Sequence, residues 1–337
     1  MKRYLYIALL SLIGLMLRAE VPSPKHEIRA VWLTTIYGLD WPQKPATTEY
    51  GRKMQQQELC QILDRLKEAN FNMVFVQVRM RGDVIYKSAI EPASKTFSGK
   101  YGVMPGYDPL AFVIEECHKR GMECHAWMVT FPVGTDKIVK EQGRNSVVKR
   151  MPSLCKRFNG EWYLDPGVPG TDQYILSLVK EIVNGYDVDG IHFDYIRYPE
   201  EAKKFPDRAA YNKSGKGMPL DEWRRSNITR MVSMIYDWVK GVKPWIQVSS
   251  SPLGKYSRIP KVPNAGWTAY ESVYQDPGKW LQQGKHDMVV PMMYYKFDNF
   301  FPFVDNWVEI SNGRIVVPGL GAYRMDKKEA DWEKNDI

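Results

Sequence analysis

The sequence predicts an α/β protein of the (β/α)8 TIM-barrel type, truncated before its eighth unit. Three observations carry that expectation. From residue 28 onward, short runs rich in β-branched and aromatic residues alternate with longer runs of helical periodicity. The strand runs are almost continuously apolar, as in a parallel sheet covered on both faces. No glycine-rich phosphate loop follows any of them, which disfavours an open nucleotide-binding sheet.

In chain order the strands are expected at 29–35 (RAVWLTT), 72–79 (NMVFVQVR), 123–130 (ECHAWMVT), 190–198 (GIHFDYIRY), 246–251 (IQVSSS), 288–295 (MVVPMMYY) and 315–320 (IVVPGL). Helical patterns lie between them near 51–69, 108–120, 171–185, 221–240, 271–283 and 299–311. A full barrel has eight strands, yet only RMDKKEADWEKNDI follows the seventh, so the eighth unit is expected to be missing. Two strand-end loops are long, 131–162 and 199–220, and long loops on one rim of a barrel are characteristically functional. The barrel is assigned to residues 26–337. Ahead of it, Lys2 and Arg3, an apolar stretch from Tyr4 to Leu17 and the small Ala19 make up the three parts of a secretory signal peptide over residues 1–19. That apolar stretch is too short for a stable membrane anchor. Secretion or a periplasmic location in a bacterium is therefore expected.

With 44% hydrophobic and 26% charged residues, the chain falls outside the disordered and fibrous classes. The net charge of +8 drops to +5 once the leader's Lys2, Arg3 and Arg18 are removed. That excess suits an anionic polymer, but its scatter argues against nucleic acid as a partner. Four cysteines, Cys60, Cys117, Cys124 and Cys155, are too few for a disulfide framework in an exported chain this long, and are expected as free thiols.

Barrel active sites are built from strand C-termini and the loops after them. The groups that collect there are Asp40 and Trp41 after the first strand, Gln77 and Arg79 on the second, and His125 and Trp127 on the third. The fourth strand supplies His192, Asp194, Arg197 and Tyr198, and the sixth ends in Tyr294 with Asp298 following. Within DGIHFDYIRYP, alternation places Ile191, Phe193 and Tyr195 on one face and His192, Asp194 and Ile196 on the other. A barrel-facing carboxylate is costly to bury unless it is paired or working, which makes Asp194 the leading catalytic residue. Its structural alternative is an ion pair with Arg197 or Arg79. Asp298 is the expected second carboxylate, although Asp40 and Asp298 could equally cap local turns.

Carboxylates among aromatics on a barrel rim are what glycoside cleavage requires: two carboxyl groups for the bond and ring faces for the sugars. The chain is rich in such faces, with 11 Trp and 20 Tyr. Asp40, Trp41, Gln77, Arg79, His125, Trp127, His192, Arg197, Tyr198 and Tyr294 are accordingly the candidate substrate contacts. The expected partner is a glycan polymer or oligosaccharide, with no cofactor. Two rivals stand beside this reading. One is a glycan-binding barrel without catalysis, and the other a metal-dependent hydrolase using His125, His192 and Asp194, which lacks evident further ligands.

Together EIRAVWLTTIYGLDWP, FNMVFVQVRMRGDVIY, DGIHFDYIRYP and MVVPMMYY resemble the glycosyl-hydrolase-like family 10 proteins over roughly residues 26–325. The resemblance implies a (β/α) barrel, export from a bacterial cell and a glycosidase acting on envelope or related glycans, peptide-stripped peptidoglycan among them. Chitinase-like barrels carry Asp-x-x-Asp-x-Asp-x-Glu on the fourth strand. Here that pattern falls on Asp189, His192, Asp194 and Ile196, so the acid position holds a side chain that cannot donate a proton.

Overall fold

The computed structural model describes residues 27–215 and 217–325. The leader at residues 1–19 and the tail at 326–337 lie outside the described residues. Strands β1 (Ala30–Leu33), β2 (Met73–Arg79) and β3 (Glu123–Val129) are followed by β4 (Pro132–Thr135), β5 (Cys155–Phe158) and β6 (Glu161–Leu164). The chain continues through β7 (Gly190–Asp194), β8 (Gln247–Ser250), β9 (Met288–Val289) and β10 (Ile315–Val316). Seven of these form one parallel sheet in the order β1-β2-β3-β7-β8-β9-β10. All seven expected strands are present, in the expected order. Among the described residues β1 is paired only with β2 and β10 only with β9. Trp32 of β1 packs towards the other end of the sheet, where a Cβ on Gly319 would meet its ring at 2.5 Å.

Helices Glu49–Glu68, Pro109–Lys119, Thr171–Gly185, Leu220–Val242, Pro277–Gln282 and Phe297–Ile310 separate the strands. Several begin where local chemistry dictates. Thr48 accepts from the backbone of Gly51, and Asp108 from Ala111 with Pro109 in the first turn. Among the described residues no helix is long and apolar enough to cross a membrane.

Strand alternation divides the core in two. Val74, Val76, Cys124, Ala126, Met128, Ile191 and Phe193 meet the helices, against Leu59, Leu110, Val113, Ile175, Val179 and Ile235. On the other side, Met73, Phe75, Met288 and Val290 fill the barrel interior with Trp32, Trp127 and Val317. His192 belongs to this inner layer. Its Nε2 accepts from Trp32 Nε1 at 3.2 Å, so Nδ1 carries the proton toward Ser249 Oγ at 2.9 Å. Burial pushes its imidazolium form well down, leaving a neutral, hydrogen-bonded ring. The cysteines are free thiols, as expected.

Two local features depart from the expected pattern. The β7 strand ends at Asp194, because Tyr195 adopts a left-handed backbone with φ of 49°. Alternation breaks there, and Ile196 turns into the helix-side core. The 131–162 segment is no open loop: β4, β6 and β5 form a three-stranded antiparallel sheet. Its β5–β6 hairpin turns on Asn159 and Gly160, both at positive φ, as a two-residue turn of the primed type demands.

Close packing inside the barrel makes one glycine testable. A Cβ on Gly190 would lie 2.2 Å from Nδ1 of buried His125. Gly190→Ala is expected to destabilise the fold by roughly 1–3 kcal/mol, as overpacked cores do. Urea unfolding measures this, and an unchanged midpoint would show that His125 can move aside.

Candidate functional site

A cleft of about 510 Å³ opens at the C-terminal ends of β1, β2, β3 and β7. A larger depression, about 690 Å³, lies between the later helices around Tyr256, Glu271 and Glu309, and no expected site residue lines it. The strand-end cleft is therefore where chemistry-bearing groups converge.

Asp194 forms part of its wall with only 7% of its surface exposed. One carboxyl oxygen accepts from the backbone N–H of Tyr195 at 2.7 Å, and the other from Trp127 Nε1 at 3.2 Å. Burial pushes its carboxyl above the usual carboxylate range; the Tyr195 N–H, the charge of Arg197, the Ser251 hydroxyl and Trp127 offset this only in part. Gln77, Trp127 and Arg197 line the same cleft. The carbonyl oxygen of Gln77 accepts from Thr34 Oγ1 and from the backbone of Thr35 and Ile36, which fastens the chain leaving β1.

Other expected contacts lie elsewhere, each for a physical reason. Arg79 should share a face with Gln77, but a register shift between them turns it to the helix side opposite Met128. There it is fully buried against Glu91, with nitrogen–oxygen distances of 2.7 Å. Trp41 is a core residue: its Nε1 donates to the carbonyl of Gln55 at 2.8 Å and its edge meets Phe97. Tyr198 is likewise buried, edge-on to Phe205 and Tyr274 and beneath the Arg224 guanidinium. His125 lies toward the start of β3, 3.0 Å from Glu123, and His192 is held by Trp32 and Ser249, so the two do not converge with Asp194 as a ligand set. Among the described residues no group of three or more His, Cys, Asp or Glu is placed to hold a metal. Asp40 is exposed and accepts from the Thr34 N–H at 2.8 Å, a turn-holding contact. Asp298 is exposed in the first turn of the helix Phe297–Ile310 and does not line the cleft. Tyr294, half-buried and edge-on to Tyr323, stands close enough for the Asp194 charge to add to the burial that raises its phenol.

The structure adds Glu161, Tyr163, Tyr195 and Trp267 to the groups at the strand ends. Glu161, the first residue of β6, lines the cleft with Tyr163, whose hydroxyl bonds it at 3.2 Å. Arg81, just beyond β2, forms an ion pair with Glu161. Tyr195 enters the cleft through its left-handed turn, and Trp267 flanks Arg197. The one available signal was the Asn-Gly turn directly before Glu161, which marks a hairpin within the long loop.

The family model described as Glycosyl hydrolase-like 10 matches residues 27–312. A Bacillus subtilis (strain 168) protein named glycosyl hydrolase YngK is 33% identical over 280 residues, a match covering 80% of this chain and 54% of that protein. An Escherichia coli (strain K12) protein named glycosyl hydrolase DigH is 31% identical over 346 residues, covering 94% of this chain and 79% of that one. This chain thus spans about half the length of the Bacillus relative. Among solved structures, the glycoside hydrolase domain of PgaB (BpsB) from Bordetella bronchiseptica superposes with a TM-score of 0.60 at 14% identity, covering 87% of this chain and 84% of that one. That likeness is one of fold.

The Arg79–Glu91 pair beneath the cleft carries its own prediction. Glu91→Gln keeps the shape but leaves a buried guanidinium uncompensated, and is expected to cost about 3–5 kcal/mol of stability. Denaturant unfolding reads the loss. A cost below about 1 kcal/mol would mean that water reaches Arg79.

Proposed function

The chain belongs to glycosyl hydrolase-like family 10, and from that premise we propose that it is an exported glycoside hydrolase that cleaves glycan strands by carboxylate acid–base chemistry. Peptide-stripped peptidoglycan is the proposed substrate, and the pattern of residues 1–19 supports export. The observation that carries the reading is a single cleft holding Asp194 and Glu161 among Trp127, Tyr163 and Tyr195. In this reading Asp194, whose burial favours the protonated carboxyl, donates to the glycosidic oxygen. Glu161, ion-paired with Arg81, serves the anomeric carbon, either directly or through a water held between the two groups. The exposed ring of Tyr195 offers a face for a sugar.

One observation favours a second reading, a glycan-binding barrel without cleavage. Both carboxyl oxygens of Asp194 already accept hydrogen bonds, as those of a turn-holding residue would.

Mutation separates the two. As the acid, Asp194 acts in the transition state, so Asp194→Asn is expected to cut turnover by roughly 100-fold or more while glycan affinity stays within a few-fold. Glu161→Gln should do the same. Chromatography with mass spectrometry of products from peptide-stripped and intact strands reads cleavage, and calorimetry reads binding. Wild-type turnover in Asp194→Asn would make that residue structural.

A pH profile tests the assignment from another side. A general acid works only while protonated, so activity should fall as pH rises through the Asp194 pKa. Because burial raises that pKa, the alkaline limb should lie above the ordinary carboxylate range, and it should vanish from the residual activity of Asp194→Asn. An alkaline limb unchanged in that variant would assign the acid to another group.

A further inference from the structure

Four arginines are buried among the described residues, and three of them face a carboxylate. Arg79 meets Glu91 at 2.7 Å, Arg224 meets Asp207 at 2.7 Å and Arg225 meets Glu222 at 2.5 Å. Arg197 differs. It is 5% exposed and has no carboxylate within ion-pair distance among the described residues. Its one hydrogen bond is long, from a terminal nitrogen to the carbonyl of Tyr198 at 3.4 Å, and its Nε is buried without a partner. What holds it is aromatic. The guanidinium carbon lies 4.6 Å from the ring centre of Tyr195 and 5.2 Å from that of Trp267. Those rings are 42% and 41% exposed, so the contact lies at the surface rather than in the core.

A cation removed from water without a carboxylate in ion-pair contact is expensive, and this one lines the same cleft as Asp194 and Glu161. The two rings supply no hydrogen-bond acceptor, so the guanidinium N–H groups other than the one on the Tyr198 carbonyl remain for a partner. A planar fork of that kind matches a carboxylate better than it matches a single hydroxyl. We propose that Arg197, in cation–π contact with Tyr195 and Trp267, is the seat for a carboxylate carried by the glycan, so that the cleft selects saccharides bearing an acidic group near the cleaved linkage. This rests on the hydrolase reading for the linkage, but not for the binding of the anion. An anion on Arg197 also sits compatibly with its neighbour, because the burial of Asp194 already favours the uncharged carboxyl.

The test uses one set of oligosaccharides from peptide-stripped glycan strands in two forms, with free carboxylates and with the same carboxyls amidated. Wild-type kcat/KM is expected to favour the carboxylate form by roughly ten-fold or more, the scale of a charge-assisted hydrogen bond. Arg197→Gln should bring the ratio of the two forms close to one. Equal handling of both forms by the wild type, or a preference that survives Arg197→Gln, would overturn the proposal. If neither form is cleaved, the hydrolase reading fails by itself, and calorimetric affinities of the wild type for the two forms decide the anion seat by the same ten-fold criterion. Should Arg197→Gln not fold, the wild-type comparison still decides. A pH profile adds a readout that a merely structural arginine would not move. An anion on Arg197 offsets the charge that lowers the Asp194 carboxyl, so the alkaline limb should lie higher on the carboxylate form than on the amidated one.

Discussion

Arg79 and Glu91 face each other with no side-chain surface exposed, and the cleft is assembled on that pair. Neither charge is tolerable there without the other, since the desolvation of each is offset only by a complete set of partners. The set is complete. Two guanidinium nitrogens take the two oxygens of Glu91, the third donates to the carbonyls of Val129 and Thr130, and Tyr174 donates to Glu91 from the helix Thr171–Gly185. The ends of β2 and β3, the segment that follows β2 and a helix of the outer layer therefore meet at one guanidinium. The linkage continues into the site. The N–H and hydroxyl of Thr130 both donate to the carbonyl of Asp194 at 2.8 Å, which fixes the backbone of that residue where β7 gives way to the turn at Tyr195.

Much of this architecture was legible in the sequence, because period and turn chemistry write the fold. The seven strands follow from apolar runs, and the helices between them from their periodicity. Within the site, Gln77, Trp127 and Asp194 were legible because each lies on a regular strand whose alternation holds, whereas Arg197 reaches the cleft from beyond the turn at Tyr195. The misplaced residues fail where alternation fails. A single bulge sends Arg79 to the other side of the sheet, and the left-handed Tyr195 exchanges the facing of everything after Asp194. Trp41 and Tyr198 show a different limit. An aromatic at a strand end reads the same whether it faces sugar or core, and only tertiary packing decides between Phe97 and a cleft. Asp40 was ambiguous on similar grounds, and its contact with Thr34 settles the structural part of its role.

Glu161 escaped notice because its position depends on a sheet within a loop. That sheet is fastened by burial: Phe131, Val133, Leu154, Cys155 and Leu164 all join the helix-side core. Each fully buried side chain of this kind contributes about 1.5–3 kcal/mol. The Arg81–Glu161 ion pair, with side chains 27% and 28% exposed, is worth no more than about 1 kcal/mol after solvent screening. The two attachments therefore do different work. Apolar packing sets where the backbone of β6 runs and hence where Glu161 emerges, while the weak pair leaves its carboxylate free to exchange Arg81 for another partner at little cost. Asp194 is the opposite case, buried and bonded at both oxygens. The cleft thus holds one carboxyl rigid and desolvated and presents the other, lightly tethered, from a separately anchored sheet.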